Sequence, residues 1–375
     1  MSVKRYLAGF ALLVGSLGAG AQDLVLGQVV PLTGTIAETG NEYVAGAAAY
    51  FAHINQSGGV NGRKIRVVIK DDGYKPDETL KLTQQILDED KPIALFGFVG
   101  TANIAALNKA EILSKSNIAL LAPYTGATSL RQPVVPQLFH IRASYADETA
   151  KMVEHLSTIG IKRIAVFYQD DPFGTSGLNG AVEAMKRINL APVASAGYDR
   201  TKPEEVDKAV GIIGAANPDA VISVSVNRAL AAFIKKMRAA GHGAQIFSIS
   251  VVNFKELIKN TGEAETRGIG IAQVMPFPYA ASTPVVREFQ TLMKKHAPDK
   301  IMSYASMESF VAAKVMVEAL RRAGPNPSRE KVLKALEALR DYDVGGFTVG
   351  YSPQSRVGSN FVEVTVIGPG AKLIR

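Results

Sequence analysis

Short apolar, β-branched runs alternate with stretches whose apolar side chains recur every three to four residues, from about residue 23 onward. DLVLGQVVPL is the first such run. After it Tyr43, Ala47, Tyr50, Phe51 and Ile54 fall at i, i+4, i+7, i+8 and i+11, the stripe of an amphipathic helix, and SGGVNG supplies its glycine stop and a turn. KIRVVIKDD, PIALFGF and NIALLAP follow as strands, with helices predicted after Pro76 and from about residue 102. Strands separated by helices of this length form a parallel sheet with right-handed crossovers.

A second series repeats the plan without repeating the sequence. It opens after FHIRASY with a helix over about 147–159, then takes KRIAVFYQ, APVASAGY, PDAVISVSV and AQIFSIS as strands, with helices after Phe173, from Pro203 and over 227–240. Two long helical patterns follow, 303–322 and 328–339, and GGFTVGYSPQSRVGSNFVEVTVIG reads as antiparallel strands. The predicted fold class is α/β, with two doubly wound parallel-sheet lobes rather than one large sheet.

Ligands of open parallel sheets sit beyond the carboxyl ends of the strands. Here those ends are PLTG (31–34), FGFVGTAN, APYTGATS (122–129), YQDDPFG (168–174), VSVNR (224–228) and SISVVN (248–253), three from each half. Within ALFGFVGTAN the apolar run breaks at Gly97 and Gly100 and ends on small polar residues as a helical pattern resumes. Such a turn presents backbone N–H groups and the positive end of a helix dipole, which suits an anion. The spacing is GxxG followed by Thr101, neither the dinucleotide fingerprint nor a P-loop, so a carboxylate is favoured over a phosphate.

Composition places the chain outside the cytoplasm. Lys4 and Arg5 precede an uncharged apolar segment over about 6–18 and then Ala19-Gly20-Ala21, the layout of a signal peptide cleaved after Ala21 and of a periplasmic protein. The 375 residues contain no cysteine, which excludes a lipid-anchored lipoprotein and leaves stability to the core. Loss of the leader would lower the formal charge from +8 to +6, and the basic residues are scattered among acids, so neither nucleic acid nor a membrane surface is an expected partner.

Candidates for covalent chemistry are few. His53, His140, His155, His242 and His296 show no ligand spacing, GTSGL is not a nucleophile elbow, and DDGYKPD lacks the order of a calcium loop. No metal site, cofactor or enzymatic activity is expected. Phe98, Tyr124, Tyr168 and Phe173 fall in or beside the strand-end loops, where they would stack on a ligand body, although Phe98 and Tyr168 are still on strands and suit a core equally.

Taken together, VVPLTGTIAETG, INQSGGVNGRKIRVVIKDD, GFVGTAN, ALLAPYTGATSL, RIAVFYQDDPFG and PDAVISVSVN before MRAAG resemble the type I periplasmic solute-binding proteins of the leucine/isoleucine/valine-binding family, which serve ABC importers. The resemblance covers essentially the whole chain after the leader. It implies one lobe of 22–143 with 273–352, another of 144–272 with 353–375, three crossovers between them, and a membrane permease as partner. In that family a hydroxyl and backbone N–H groups on two turns hold the ligand's carboxylate. Those turns match GTAN and APYTGAT here, which implies roles for Gly100, Thr101, Tyr124, Thr125 and Gly126.

The second lobe departs from the pattern. Ser250 stands where amino-acid binders place the acid for the ligand's ammonium, and Val226, beside Asn227, stands where they place an aromatic. Burying an ammonium without a carboxylate costs several kcal/mol. Either Asp170 or Asp171 supplies the acid, or the ligand is a carboxylate, amide or aromatic acid without an ammonium, held by Phe173, Asn227 and Ser250. On the second account aromatic or branched acids bind at least as well as their α-amino counterparts. A sensory ectodomain or regulator on the same fold would need a membrane span or an N-terminal helix-turn-helix, and an exported hydrolase would need a nucleophile, base or metal set.

Overall fold

The computed structural model describes residues 22–375, so the leader read at 1–21 lies outside the described residues. The first sheet is built from β1 (Leu24–Val30), α1 (Ala37–Gln56), β2 (Ile65–Asp71), α2 (Pro76–Glu89), β3 (Ala94–Phe96), α3 (Thr101–Lys109), α4 (Ile112–Lys115), β4 (Leu120–Leu121) and β5 (Leu138–Phe139). Its order is β2-β1-β3-β4-β5, all parallel. β1 is buried along its whole length, which is why it reads as a continuous apolar run. β5 escapes the sequence reading, which treats FHIRASY only as a boundary: two residues long, it has no periodicity and is defined by its pairing with β4.

The second sheet takes α5 (Tyr145–Thr158), β6 (Ile164–Gln169), α6 (Pro172–Lys186), β7 (Ala194–Tyr198), α7 (Asp207–Ala215), β8 (Ala220–Val224), α8 (Asn227–Ala239), β9 (Gln245–Ser248), α9 (Phe254–Thr261), α10 (Glu263–Thr266) and β10 (Gly270–Gln273). The chain then returns to the first lobe as α11 (Pro284–His296), α12 (Tyr304–Arg322), α13 (Arg329–Glu337) and the short pair β11 (Tyr342–Asp343) and β12 (Thr348–Val349). It ends in β13 (Glu363–Ile367) and β14 (Leu373–Ile374), which add antiparallel strands beyond β10 and complete the order β14-β13-β10-β9-β8-β6-β7.

Packing explains this division. The α1 stripe Tyr43, Ala47, Tyr50, Phe51 and Ile54 is buried, and its contact with α12 is close enough that a Cβ on Gly46 would collide with the Ser306 backbone. Tyr50 meets Phe310 edge-on at 5.1 Å. In the second lobe Phe167 stacks on Phe233 at 4.2 Å and on Tyr198 at 5.1 Å. Three passages join the lobes: between β5 and α5, between β10 and α11, and between β12 and β13. Each sheet has its topological switch beside its first strand, between β1 and β3 and between β6 and β8, the place where such folds bind ligands. No helix among the described residues is long and apolar enough to cross a membrane.

Candidate ligand-binding cleft

The glycine turn before α3 is built as its sequence suggests. Gly100 has φ of 109°, a conformation open to glycine, and a Cβ there would lie 2.7 Å from both Asn103 Oδ1 and the Tyr74 ring. The turn delivers the chain into α3 with first-turn N–H groups that have no partner within the helix. Thr101 Oγ1 lies 2.6 Å from Thr125 Oγ1. Thr125 Oγ1 also accepts the Ala127 N–H at 3.2 Å, so its own proton can go to Thr101, which frees the Thr101 proton for an acceptor in the cleft.

Gly100, Thr101 and Tyr124 from one lobe and Phe173, Val226 and Asn227 from the other line a single narrow chamber. Val251 reaches it from the β9 loop, and Thr35 and Ile36 just past PLTG, so five of the six strand-end segments and the residues that follow the sixth converge there. Tyr74 and Tyr145, not singled out in the sequence, complete its aromatic wall. Tyr145 packs edge-on against Phe173 at 5.3 Å.

Other expected residues stand back from this chamber. Thr125 is fully buried behind Thr101. Gly126 packs against Tyr145, its carbonyl accepting the Tyr145 N–H at 2.8 Å. Phe98 belongs to the core, and Tyr168 does not line the chamber. Asp171 must be corrected as the replacement acid: its carboxylate caps α6, accepting from the N–H of Phe173 (2.9 Å) and Gly174 (3.2 Å), and also accepts from Gln169 Nε2 (2.8 Å) and Arg200 Nη1 (3.1 Å). Asp170 points to the exposed surface and serves no better. Of the histidines, His53 and His296 come together, ring centroids 6.3 Å apart, but no group of three or more metal-ligating side chains forms among the described residues.

Ser250 faces a smaller neighbouring chamber that shares Thr39, Tyr124 and Val251 with the first. Its backbone N–H donates to Glu148 Oε2 at 2.7 Å, its hydroxyl donates to Glu148 Oε1 at 3.0 Å, and Arg142 Nη2 bonds to the same hydroxyl. Arg142 lies in the first crossover, 4.4 Å from the Tyr124 ring centre, and draws Glu148 on α5 and Glu308 on α12 to 3.8 Å. An acid from each lobe thus meets one arginine at the hinge. Burial pushes both carboxyls up, Glu308 to about 7, while Arg142 pulls them down.

Two acids of α1, both missed by the sequence reading, do line the cleft: the exposed Glu38 borders the first chamber, and Glu42 borders the second. Glu42 sits at the wall of the second chamber, only 7% exposed, and its Oε1 accepts from Asn253 Nδ2 of the other lobe at 2.7 Å. Burial pushes its carboxyl up to about 7 against the lowering effect of Ser303 and Asn253 hydrogen bonds. A signal was present: Thr39, Glu42 and Gly46 share one face of α1 with the buried stripe, an unusual place for a carboxylate. The lobes touch again at the cleft mouth. Arg200 Nη2 donates to the Tyr74 carbonyl at 2.8 Å, and its guanidinium lies 4.0 Å from the Tyr74 ring centre.

The family model for periplasmic binding proteins matches residues 24–365. An amino acid binding protein of Pseudomonas aeruginosa is 25% identical over 323 residues, covering 84% of this chain and 85% of that one. Among solved structures, a substrate-binding periplasmic protein from Ralstonia solanacearum is 40% identical with a TM-score of 0.90, over 94% of this chain and 99% of its own. A possible leucine/isoleucine/valine-binding protein from Rhodopirellula baltica is 27% identical with a TM-score of 0.89, over 96% and 98%.

Proposed function

This chain belongs to the periplasmic binding protein family, and from that premise we propose that it is the periplasmic receptor of an ABC importer. It captures a small carboxylate-bearing ligand, an amino acid or a related branched or aromatic acid, and delivers it to a membrane permease. The observation that supports this most is the convergence of strand-end loops from both lobes on one chamber bordered by the Gly100-Thr101 turn. Two rigid bodies, 22–143 with 273–352 and 144–272 with 353–375, close over the ligand because contacts to both lobes exist only in the closed state. The names of the Pseudomonas and Rhodopirellula relatives support an amino-acid-like cargo. The role is binding, and the leader read at the N-terminus supports export.

Thermal scanning of the purified chain against amino acids and branched and aromatic carboxylic acids tests the reading. A ligand at a hundred times its dissociation constant adds about 2.7 kcal/mol of stability. Small-angle scattering with the best stabiliser is expected to show a smaller radius of gyration. A panel in which no carboxylate raises the melting temperature refutes the function, and an unchanged radius refutes the closure.

A further inference from the structure

The cleft does not end at the chamber beneath Thr101, and the chamber around Glu42 asks for a different chemical group. We propose that this second chamber is a subsite for a cationic amine carried by the ligand at the end remote from its carboxylate. The inference rests on the carboxylate reading above and extends it.

Glu42 is buried, lines the chamber and is hydrogen-bonded only by neutral groups, the Asn253 amide and the Ser303 side chain. Among the described residues no lysine or arginine forms an ion pair with it; Lys255 acts on it only at a distance. Gln273 lines the same chamber at 1% exposure, and its Oε1 has no donor, while its Nε2 reaches Thr365 Oγ1 at 3.4 Å. A buried carboxylate with neutral partners only and, in the same cavity, a buried amide oxygen with no donor are an uncompensated cost, which an N–H-rich cation would relieve. The remaining walls include Tyr124, Phe254, Tyr279 and Tyr304, whose ring faces attract a cation. Tyr279 already has the Lys255 ammonium 4.9 Å from its ring centre.

Position decides which amine. Gly100 and Thr101 line only the first chamber, Glu42 and Gln273 only the second, and Tyr124 is a wall common to both. An α-ammonium is attached to the carbon beside the carboxylate and stays in the first chamber. A group that reaches Glu42 is separated from the carboxylate by a run of methylenes passing Tyr124. The charged and titratable groups around Glu42 are Glu256 and Lys255 of α9, the Tyr124, Tyr279 and Tyr304 hydroxyls and, on its outer side, Glu38, Asp299 and Lys300, with Asn253 and Ser303 as neutral partners. An ammonium bound there holds Glu42 ionised, so amine binding strengthens as pH rises through about 7.

The test is calorimetry on the full chain with δ-aminovalerate and ε-aminocaproate beside valerate and caproate, with norvaline as the α-amino comparison. The ω-amines are expected to bind at least tenfold tighter than the unsubstituted acids. Glu42→Gln, which keeps an acceptor for Asn253, should abolish that advantage. Amines that bind no tighter, or that keep their advantage in the variant, overturn the subsite, as does norvaline binding best with no effect of the variant. In those cases the carboxylate reading stands; if none of the acids binds, it falls together with the subsite. A second measurement needs no variant: the wild-type affinity for the ω-amines should rise about tenfold between pH 6 and pH 8, as linkage to one carboxyl near neutrality requires. A flat profile overturns the inference.

Discussion

Arg200 offers the sharpest test of closure. It follows β7 in one lobe, and its guanidinium is held there by Asp171 while it donates across the cleft mouth to the Tyr74 carbonyl and lies over the Tyr74 ring. Opening the cleft breaks its contacts to Tyr74 and a long one to Asn103 Oδ1 at 3.5 Å, while Asp171 moves with Arg200. A hydrogen bond from a charged donor is worth roughly 1.5 to 3 kcal/mol and the stack adds about 1 kcal/mol. The Arg200 side chain is 16% exposed, so rehydration on opening returns part of this and leaves about 2 kcal/mol in favour of the closed state. Arg200→Ala should therefore weaken binding of the best stabiliser by about thirtyfold, mostly through faster dissociation. Arg200→Lys should fall between, since an ammonium keeps the charge and loses the planar fork. The assay pairs calorimetry with scattering at saturating ligand. Dissociation constants within threefold of wild type, with the same decrease in radius of gyration, would refute the clasp.

Two further substitutions probe the chambers separately. Thr101→Val removes the hydroxyl bonded to Thr125, and is expected to weaken carboxylate binding at least tenfold by calorimetry and to lower apo stability by about 1 kcal/mol in urea melts, because the lost bond is buried. Undiminished affinity would move the anion site elsewhere. Glu42→Gln tests the buried acid in the free protein: its folded pKa lies above the ordinary 4.5, so the native chain retains a proton that the unfolded chain releases, and wild-type stability falls as pH rises from 4.5 to about 7. The loss is up to about 3 kcal/mol at 1.36 kcal/mol per unit. Glu308, Glu148, Asp72 and Glu363 add slopes of the same sign, so the variant should reduce but not abolish the decline measured by urea unfolding at pH 5 and pH 7.5; an unaltered decline would show that Glu42 is not the proton's site.

What could be read along the chain is what a segment decides for itself. The apolar stripe of α1, the glycine stop after it and the Gly100 turn are local, and the loops they end in are the ones that meet. Asp171 misled because one local signal was weighed over another. Asp-Pro at a strand exit marks an N-cap with proline in the first turn, and such a carboxylate is already committed to backbone N–H groups before any ligand arrives.

Glu42 and Arg142 belong to a different class. Nothing in HIRASY marks Arg142, and in AETGNEY only the place of Glu42 beside the buried stripe marks it, until the other lobe supplies Asn253, Glu148 and Ser250. Substituting Ser250 for an acid therefore does not empty the cleft of negative charge. It leaves the β9 loop to bind Glu148 and Arg142, and the carboxylates that border the ligand space, Glu38 and Glu42, stand on α1, in the opposite lobe. Reading a site position by position along one loop assumes that a charge, once lost, must be replaced nearby in sequence. In a cleft closed by two lobes, a carboxylate that shares a chamber with Ser250 stands 208 positions upstream, on a helix whose pattern looks like core.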